Sequence, residues 1–186
     1  MSLKKVIILF SGEGTNLENI IKTLHLTKKI EVVKAISNKK DANGLKRAEK
    51  YTIPTLVIED KNFTVREEFD IQLVKEIEKE SPDLVVLAGF MRILTPTFTK
   101  NIDAINIHPS LLPLFRGANA IENSFKSNML VAGVSVHDVS EELDGGKIIA
   151  QDSFDKKDMS FAEFEKRIHE IEYTLYPKAI LKKLNI

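Results

Sequence analysis

Short apolar runs alternate with segments of helical spacing along this chain, and this alternation restricts the possible folds more than any other feature. We expect buried strands at residues 6–10, 31–37, 54–58, 83–88 and 104–107, and helices between them at 17–24, 42–51, 64–80 and 96–100. Strands that alternate with helices indicate a parallel sheet with helices on both faces. We therefore predict an α/β fold with a mostly parallel sheet. The length of 186 residues fits one domain over residues 1–186.

The last third of the chain has a different pattern. Residues 131–139 and 147–154 alternate between apolar and polar side chains, and the loop 141–146 separates them. We predict two strands that pair as a hairpin across this loop. A helix is predicted before them at 118–127. A long helix should follow them to about residue 184, with Ser160 as its N-cap and Glu163 completing a capping box.

Charge and composition exclude several classes of protein. Lysine plus arginine and aspartate plus glutamate each total 27, so the net charge is zero and no basic excess indicates nucleic acid. The absence of cysteine excludes disulfides and thiolate metal sites. The first apolar run is too short for a signal peptide or a membrane span. We expect a cytoplasmic enzyme that acts on small-molecule substrates and binds neither nucleic acid nor a membrane. We expect it to be a monomer or a weak dimer.

A glycine-rich turn, SGEGTN at residues 11–16, follows the first strand and opens the first helix. Such turns bind phosphate through backbone N–H groups. The turn is not a dinucleotide fingerprint, because Leu17 takes the place of the third glycine and the second strand ends at Ser37-Asn38 without an acidic residue. A monophosphate fits better, and a purely structural turn is the alternative.

Two polar side chains lie at alternate positions of the fifth apolar run. The period of two in a strand places Asn106 and His108 on the same face, and Pro109 ends the strand because it has no N–H to donate. A carboxamide beside an imidazole at a strand end is suited to carbonyl chemistry. The alternative is that both side chains satisfy backbone groups of the following loop.

The motifs NIHPSLLP at 106–113 and EELDGG at 141–146 resemble those of the 10-formyltetrahydrofolate-dependent formyltransferase family. Within it, the chain is most similar to the branch that formylates phosphoribosylglycinamide in purine synthesis, and the similarity extends from the SGEGTN turn to Tyr176-Pro177. The resemblance implies a Rossmann-like fold and transfer of a formyl group from 10-formyltetrahydrofolate, as co-substrate, to the amine of phosphoribosylglycinamide. It implies no metal, and no histidine or carboxylate spacing predicts one.

The resemblance also assigns residues to roles. It makes Asn106, His108 and Asp144 catalytic, and it places the Asp144 carboxylate beside His108, where it favours the protonated imidazole. The residues implied to bind phosphoribosylglycinamide are Gly14, Thr15, Asn16, His169 and Glu172. Those implied to bind formyl-folate are Arg66, Met91, Arg92, Ile93, Leu94, Asn106, Ser140, Glu141, Glu142, Leu143 and Asp144. The Leu112-Pro113 peptide bond is implied to be cis.

Each assignment has a simpler alternative. An aspartate between glycines is common turn chemistry, and His169 and Glu172 share a helix face that could simply be solvated. Met91 and its neighbours could be packing at a helix start, and Arg66 could be a surface residue. We interpret His25 as a solvated surface residue and His137 as a buried, hydrogen-bonded one.

The segment 115–121 departs from the resembled branch. Its sequence FRGANAI lacks a histidine-bearing stretch and resembles the RGA segment of methionyl-tRNA formyltransferase. The resemblance therefore assigns no conformation to this lid around the acceptor. Two other functions share parts of the pattern. A 10-formyltetrahydrofolate hydrolase would replace the amine with water, and a nonenzymatic nucleotide- or folate-binding module would not need Asn106, His108 and Asp144 together.

Overall fold

A computed structural model of the chain describes residues 2–186. The strands are β1 (Lys4–Phe10), β2 (Ile30–Ser37), β3 (Thr55–Val57), β4 (Leu84–Leu87), β5 (Ala104–His108), β6 (Val131–Asp138) and β7 (Ile148–Asp155). The α-helices are α1 (Thr15–Ile20), α2 (Asn43–Lys50), α3 (Arg66–Glu78), α4 (Pro96–Thr99), α5 (Ala120–Lys126) and α6 (Phe161–Leu184). The α/β class with a mostly parallel sheet is confirmed. The chain forms two compact units, one ending at Ile105 and the other beginning at Asn106. The single domain over residues 1–186 stays a prediction.

In the first unit, the strand order is β3-β2-β1-β4, and the first residues of β5 follow β4 in that order. The pairs β1–β2, β1–β4 and β2–β3 are all parallel. The chain moves outward from β1 to β3 and then returns to the other side of β1. Because parallel crossovers are right-handed, this reversal puts the crossovers on opposite faces of the sheet. Ligands of such sheets bind beyond the carboxyl ends of the strands where the order reverses, here at the ends of β1 and β4.

The interpretation of His25 as a solvated residue is wrong. Helix α1 continues as a π-helical stretch, Ile21–His25, which leaves the His25 imidazole only partly exposed. Its Nδ1 accepts a hydrogen bond of 3.1 Å from the backbone N–H of Val32. This N–H lies where the register of β2 against β1 shifts, so His25 satisfies a donor at an irregularity of the sheet. Burial lowers the pKa of His25.

In the second unit, β6 and β7 pair antiparallel, which confirms the predicted hairpin. The connecting loop returns closely on the end of β6. A Cβ on Gly146 would lie 1.7 Å from the carbonyl oxygen of Asp138, so only glycine fits there. The loop is closed by a hydrogen bond of 2.9 Å from the Asp138 N–H to the Lys147 carbonyl oxygen.

Helix α6 begins with the predicted capping box. The Ser160 hydroxyl accepts from the Glu163 N–H, and the Glu163 carboxylate accepts from the Ser160 N–H at 2.8 Å. Its buried residues include Phe164, Ile168 and Tyr176, and the helix contacts both β6 and β7. Across residues 2–186, no helix has the combination of length and apolar character that spanning a membrane requires.

Candidate active site

The carboxyl end of β5 carries the two polar side chains that the strand period predicted. The strand is otherwise apolar, and its residues Ala104, Ile105 and Ile107 are buried. His108 is 6% exposed, and Asn106 is partly exposed. A buried imidazole must have hydrogen-bond partners, and here they come from two loops of the same unit.

Both ring nitrogens of His108 face acceptors. Nε2 lies 2.8 Å from the carbonyl oxygen of Phe115, which can only accept, so Nε2 carries a hydrogen and donates it. Nδ1 lies 3.4 Å from Oδ2 of Asp144. An imidazolium can donate from both nitrogens, so this setting is complementary to the protonated ring.

Asp144 lies at the centre of the cluster and is nearly buried. Its backbone has a left-handed φ of 50°, which short polar residues tolerate, and its Oδ2 accepts from the Gly117 N–H at 2.8 Å. Oδ1 lies 3.5 Å from Nε2 of His137. Burial acts to raise the pKa of Asp144, but the hydrogen bond from the Gly117 N–H and the nearby imidazoles of His137 and His108 outweigh it, so the pKa lies below its usual value.

His137 is buried and hydrogen-bonded, as interpreted from the sequence. It is 2% exposed, and its Nδ1 donates to the carbonyl oxygen of Asp138 at 2.9 Å. Its Nε2 is 3.2 Å from Nδ2 of Asn106 and in the neutral ring accepts from that amide. Nε2 of His137 therefore lies between the Asn106 amide and the Asp144 carboxylate.

Ser135 supports the turn after β5, and the sequence interpretation did not select it. This fully buried side chain donates to the Ser110 carbonyl oxygen at 2.7 Å and accepts from the Leu112 N–H at 2.9 Å. The available signal was its spacing, since Ser135 and His137 alternate in β6 as Asn106 and His108 alternate in β5. The Leu112-Pro113 bond in this turn is cis, as the resemblance implied.

The loop before Asp144 is more exposed. Glu141, Glu142 and Leu143 are exposed, and Ser140 is partly exposed and donates to the Glu142 carbonyl oxygen at 3.0 Å. The Glu142 carboxylate forms an ion pair with Arg116. The segment 115–121 therefore contacts this loop and the cluster at three successive residues, namely Phe115, Arg116 and Gly117.

On α6, His169 and Glu172 share one face and form a hydrogen bond of 2.8 Å. Glu172 is only 6% exposed, so a solvated helix face does not describe it. The hydrogen bond that His169 donates to the Glu172 carboxylate raises the pKa of this partly exposed imidazole. A buried carboxylate that orients an imidazole can present polar groups to a ligand.

In the first unit, the glycine turn is held by a close backbone approach. Gly14 is the N-cap of α1 with a left-handed φ of 70°, and a Cβ there would lie 2.5 Å from Cα of Gly44. The Gly44 N–H donates to the Gly12 carbonyl oxygen at 3.0 Å. Helix α1 begins at Thr15, two residues before the predicted start. The N–H groups of Thr15 and Asn16 therefore belong to its first turn, where anions bind.

The segment 90–94 has no regular secondary structure and follows β4. Phe90 and Leu94 are each 8% exposed, whereas Met91 and Ile93 are 79% and 46% exposed. The Arg92 guanidinium lies over the ring of Phe69, 4.1 Å from its centroid. Arg66, the first residue of α3, is exposed.

The second unit thus has a hydrogen-bond donor, two imidazoles and a carboxylate at one strand end. An amide N–H can stabilise an oxyanion, and an imidazole beside a carboxylate can transfer a proton. Over the described residues 2–186, no group of histidine and carboxylate side chains has the geometry of a metal site. The fold and this cluster define an α/β enzyme with an acid–base centre.

Comparison with known proteins identifies the family. The formyl transferase family model matches residues 4–180, and the chain belongs to that family, as its motifs predicted. A phosphoribosylglycinamide formyltransferase of Haemophilus influenzae is 42% identical over 184 residues, which are 96% of this chain and 86% of the relative. A crystal structure of phosphoribosylglycinamide formyltransferase from Campylobacter jejuni has 54% identity and a TM-score of 0.95, covering 97% of both chains.

A further relative is much longer. The trifunctional purine biosynthetic protein adenosine-3 of Gallus gallus is 43% identical over 180 residues. The match covers 95% of this chain but only 18% of the chicken protein. The similarity to that protein therefore concerns one part of it.

Proposed function

We propose that this chain transfers the formyl group of 10-formyltetrahydrofolate to the amine of phosphoribosylglycinamide. The observation that carries the proposal is the cluster at the end of β5, where the Asn106 amide and the His108 imidazole lie with Asp144 and His137. The names of relatives that cover nearly the whole chain support the acceptor.

In the proposed reaction, the acceptor amine forms a bond to the formyl carbon and the bond from that carbon to the folate nitrogen breaks. An amide nitrogen has two hydrogens, so Asn106 can donate one to His137 and the other to the developing oxyanion. The amine loses a proton and the folate nitrogen gains one. Protonated His108 supplies that proton or stabilises the oxyanion, while Asp144 balances its charge.

The binding roles follow the residues that the sequence predicted. The backbone N–H groups of Gly14, Thr15 and Asn16 would bind the acceptor's phosphate, and His169 with Glu172 would bind its ribose. Formyl-folate would contact two sets of residues. The first set is Arg66, Met91, Arg92, Ile93 and Leu94. The second set is Asn106, Ser140, Glu141, Glu142, Leu143 and Asp144. Both ligands are small molecules, and the chemistry requires no metal.

The test measures deformylation of 10-formyltetrahydrofolate by the purified chain with and without phosphoribosylglycinamide. We expect turnover only when the acceptor is present, with one formylated acceptor per folate released. Equal turnover without the acceptor would identify a hydrolase. Binding of formyl-folate without turnover would identify a binding module.

The glycine turn is tested separately by crystals soaked with the acceptor or with NAD. Density for the acceptor's phosphate at residues 14–16 would support the assignment. Density for a dinucleotide across this turn would overturn it.

A further inference from the structure

The segment 90–94, here called the folate wall, presents apolar side chains to solvent without a helix or strand to hold it. Met91 and Ile93 are exposed, and Phe90 before them and Leu94 after them are buried. A ligand surface must be rigid to bind without an ordering cost. The rigidity of the folate wall must therefore come from other parts of the first unit.

The first attachment is at the end of β1. The Ser11 N–H donates to the Gly89 carbonyl oxygen at 3.0 Å, and the Ser11 hydroxyl accepts from the Met91 N–H at 2.7 Å. The same hydroxyl donates to Oδ1 of Asn38 at 2.6 Å. Asn38 is 1% exposed and follows β2 directly, so it fixes the orientation of the Ser11 hydroxyl.

The second attachment is an ionic one. Nδ2 of Asn38 is 3.4 Å from Oδ2 of Asp60, and the same Oδ2 is 3.5 Å from the Arg92 guanidinium. The side chains of Arg92 and Asp60 are 14% and 19% exposed, and the guanidinium is stacked on Phe69. Lys39 pairs with the other carboxylate oxygen from the solvent side at 3.1 Å.

A third attachment ends the segment. The Thr95 N–H donates to Oδ2 of Asp70 at 2.6 Å, and Asp70 is fully buried in α3. The chain between Gly89 and Thr95 is thus fixed on both sides of Met91 and Ile93. The first two attachments share Asn38, the residue that directly follows β2.

We propose that Asn38 and Asp60 are positioning residues for formyl-folate, holding the folate wall through Ser11 and Arg92. The proposal rests on the proposed function and adds residues that contact no substrate. Asn38 occupies the place where a dinucleotide-binding fold would have its ribose-binding acid. Here the end of β2 instead orders a neighbouring loop.

The experiment compares the intact wild-type protein with Asp60→Asn, Asn38→Asp and the two changes combined. Calorimetry gives the Kd of formyl-folate, and steady-state kinetics give kcat and both KM values. Asp60→Asn removes the charge that holds Arg92, so we expect the Kd and KM of formyl-folate to rise about tenfold. The acceptor KM and kcat should change less than about twofold, because uniform binding alone is lost. Asn38→Asp removes the N–H donated to Asp60 and should also raise the folate KM.

The combined variant and a neighbouring carboxylate provide the controls. The combined variant again has one amide and one carboxylate at the contact between positions 38 and 60, with the two groups exchanged. The folate KM of this variant should therefore be lower than that of Asn38→Asp alone. Glu59→Gln removes a carboxylate whose ion pair with Lys61 is 3.2 Å long, and it should leave the folate Kd within about twofold of the wild-type value.

An unchanged folate Kd in both Asp60→Asn and Asn38→Asp would overturn the proposal. The proposal would also be overturned if kcat fell and both KM values rose by similar factors while the melting temperature fell. That result would indicate general destabilisation. If the wild-type protein binds formyl-folate but transfers nothing, the proposed function fails. The ratio of the Kd values still tests the positioning role in that case.

Discussion

Replacement of Asp144 by asparagine removes one charge with little change in size. The carboxylate lies 3.4 Å from His108, and both side chains are 7% exposed. At an effective dielectric constant of about 20, two unit charges at this distance attract by about 5 kcal/mol. The cost of desolvating both groups opposes this attraction. After that cost, a hydrogen bond between charged groups contributes a net stabilisation of about 1.5–3 kcal/mol.

The assay is kcat with both substrates saturating, measured for the wild type, Asp144→Asn, His108→Ala and the double variant. The net value above corresponds to a loss of roughly 10- to 100-fold in kcat for Asp144→Asn, since about 1.4 kcal/mol is tenfold in rate. His108→Ala removes the proton donor, and adding Asp144→Asn to it should cost little more, because residues that act as a unit are not additive.

Asp138 provides the matched control. It lies at the end of β6, and its carboxylate forms an ion pair of 2.8 Å with Lys183. Asp138→Asn removes a charge of the same sign from the same unit without touching His108, so kcat should stay within about twofold of the wild-type value. If Asp144→Asn lowers kcat by the same factor in the presence and in the absence of His108, the two residues are not coupled and the mechanism is wrong.

Three further predictions concern other residues of the two units. Asn106→Ala should lower kcat by roughly 100- to 1,000-fold with little change in acceptor KM, and near-normal turnover would return Asn106 to a loop-supporting role. Gly14→Ala should lower the stability by about 1–2 kcal/mol because the backbone of this residue is left-handed, and the contact of the new Cβ with Gly44 should add to this cost. The same change should weaken acceptor binding. A wild-type melting temperature and acceptor KM would contradict this prediction. Because Glu172 raises the pKa of His169, their pair contributes stability that is fully present below about pH 6.5 and is lost as the pH rises through the folded value. The difference in Tm between wild type and Glu172→Gln should therefore be largest near pH 6 or below and shrink above it, and a constant difference would refute the pairing.

The parts of the fold that follow a local rule were predictable. Strands buried on both faces read as continuous apolar runs, which located β1, β4 and β5 within a few residues. The pair Asn106 and His108 followed from the period of a strand. Helix α1 began earlier than predicted because Gly14, rather than a polar side chain, is its N-cap.

The contacts between distant residues were not predictable in the same way. The sequence offers no local rule that brings Asp60 to Arg92, or Gly14 to Gly44, because these contacts depend on how separate loops meet. Asp144 was located only by resemblance to a family motif, since its spacing alone indicates a turn. His25 was misinterpreted because a π-helical stretch turns its ring toward an N–H of β2.

The glycine at position 44 has a consequence for efforts to make this protein more stable. Gly44 is in the first turn of α2, and exchange of a helical glycine for alanine usually gains about 1 kcal/mol. Here the new methyl group would lie 2.5 Å from Cε2 of Phe10, whose ring is fully buried and cannot move aside. A library guided by helix propensity would select this exchange, although the new methyl group would clash with the Phe10 ring next to the glycine turn. Thermostabilisation should therefore exclude position 44 and begin on the exposed faces of α3 and α6.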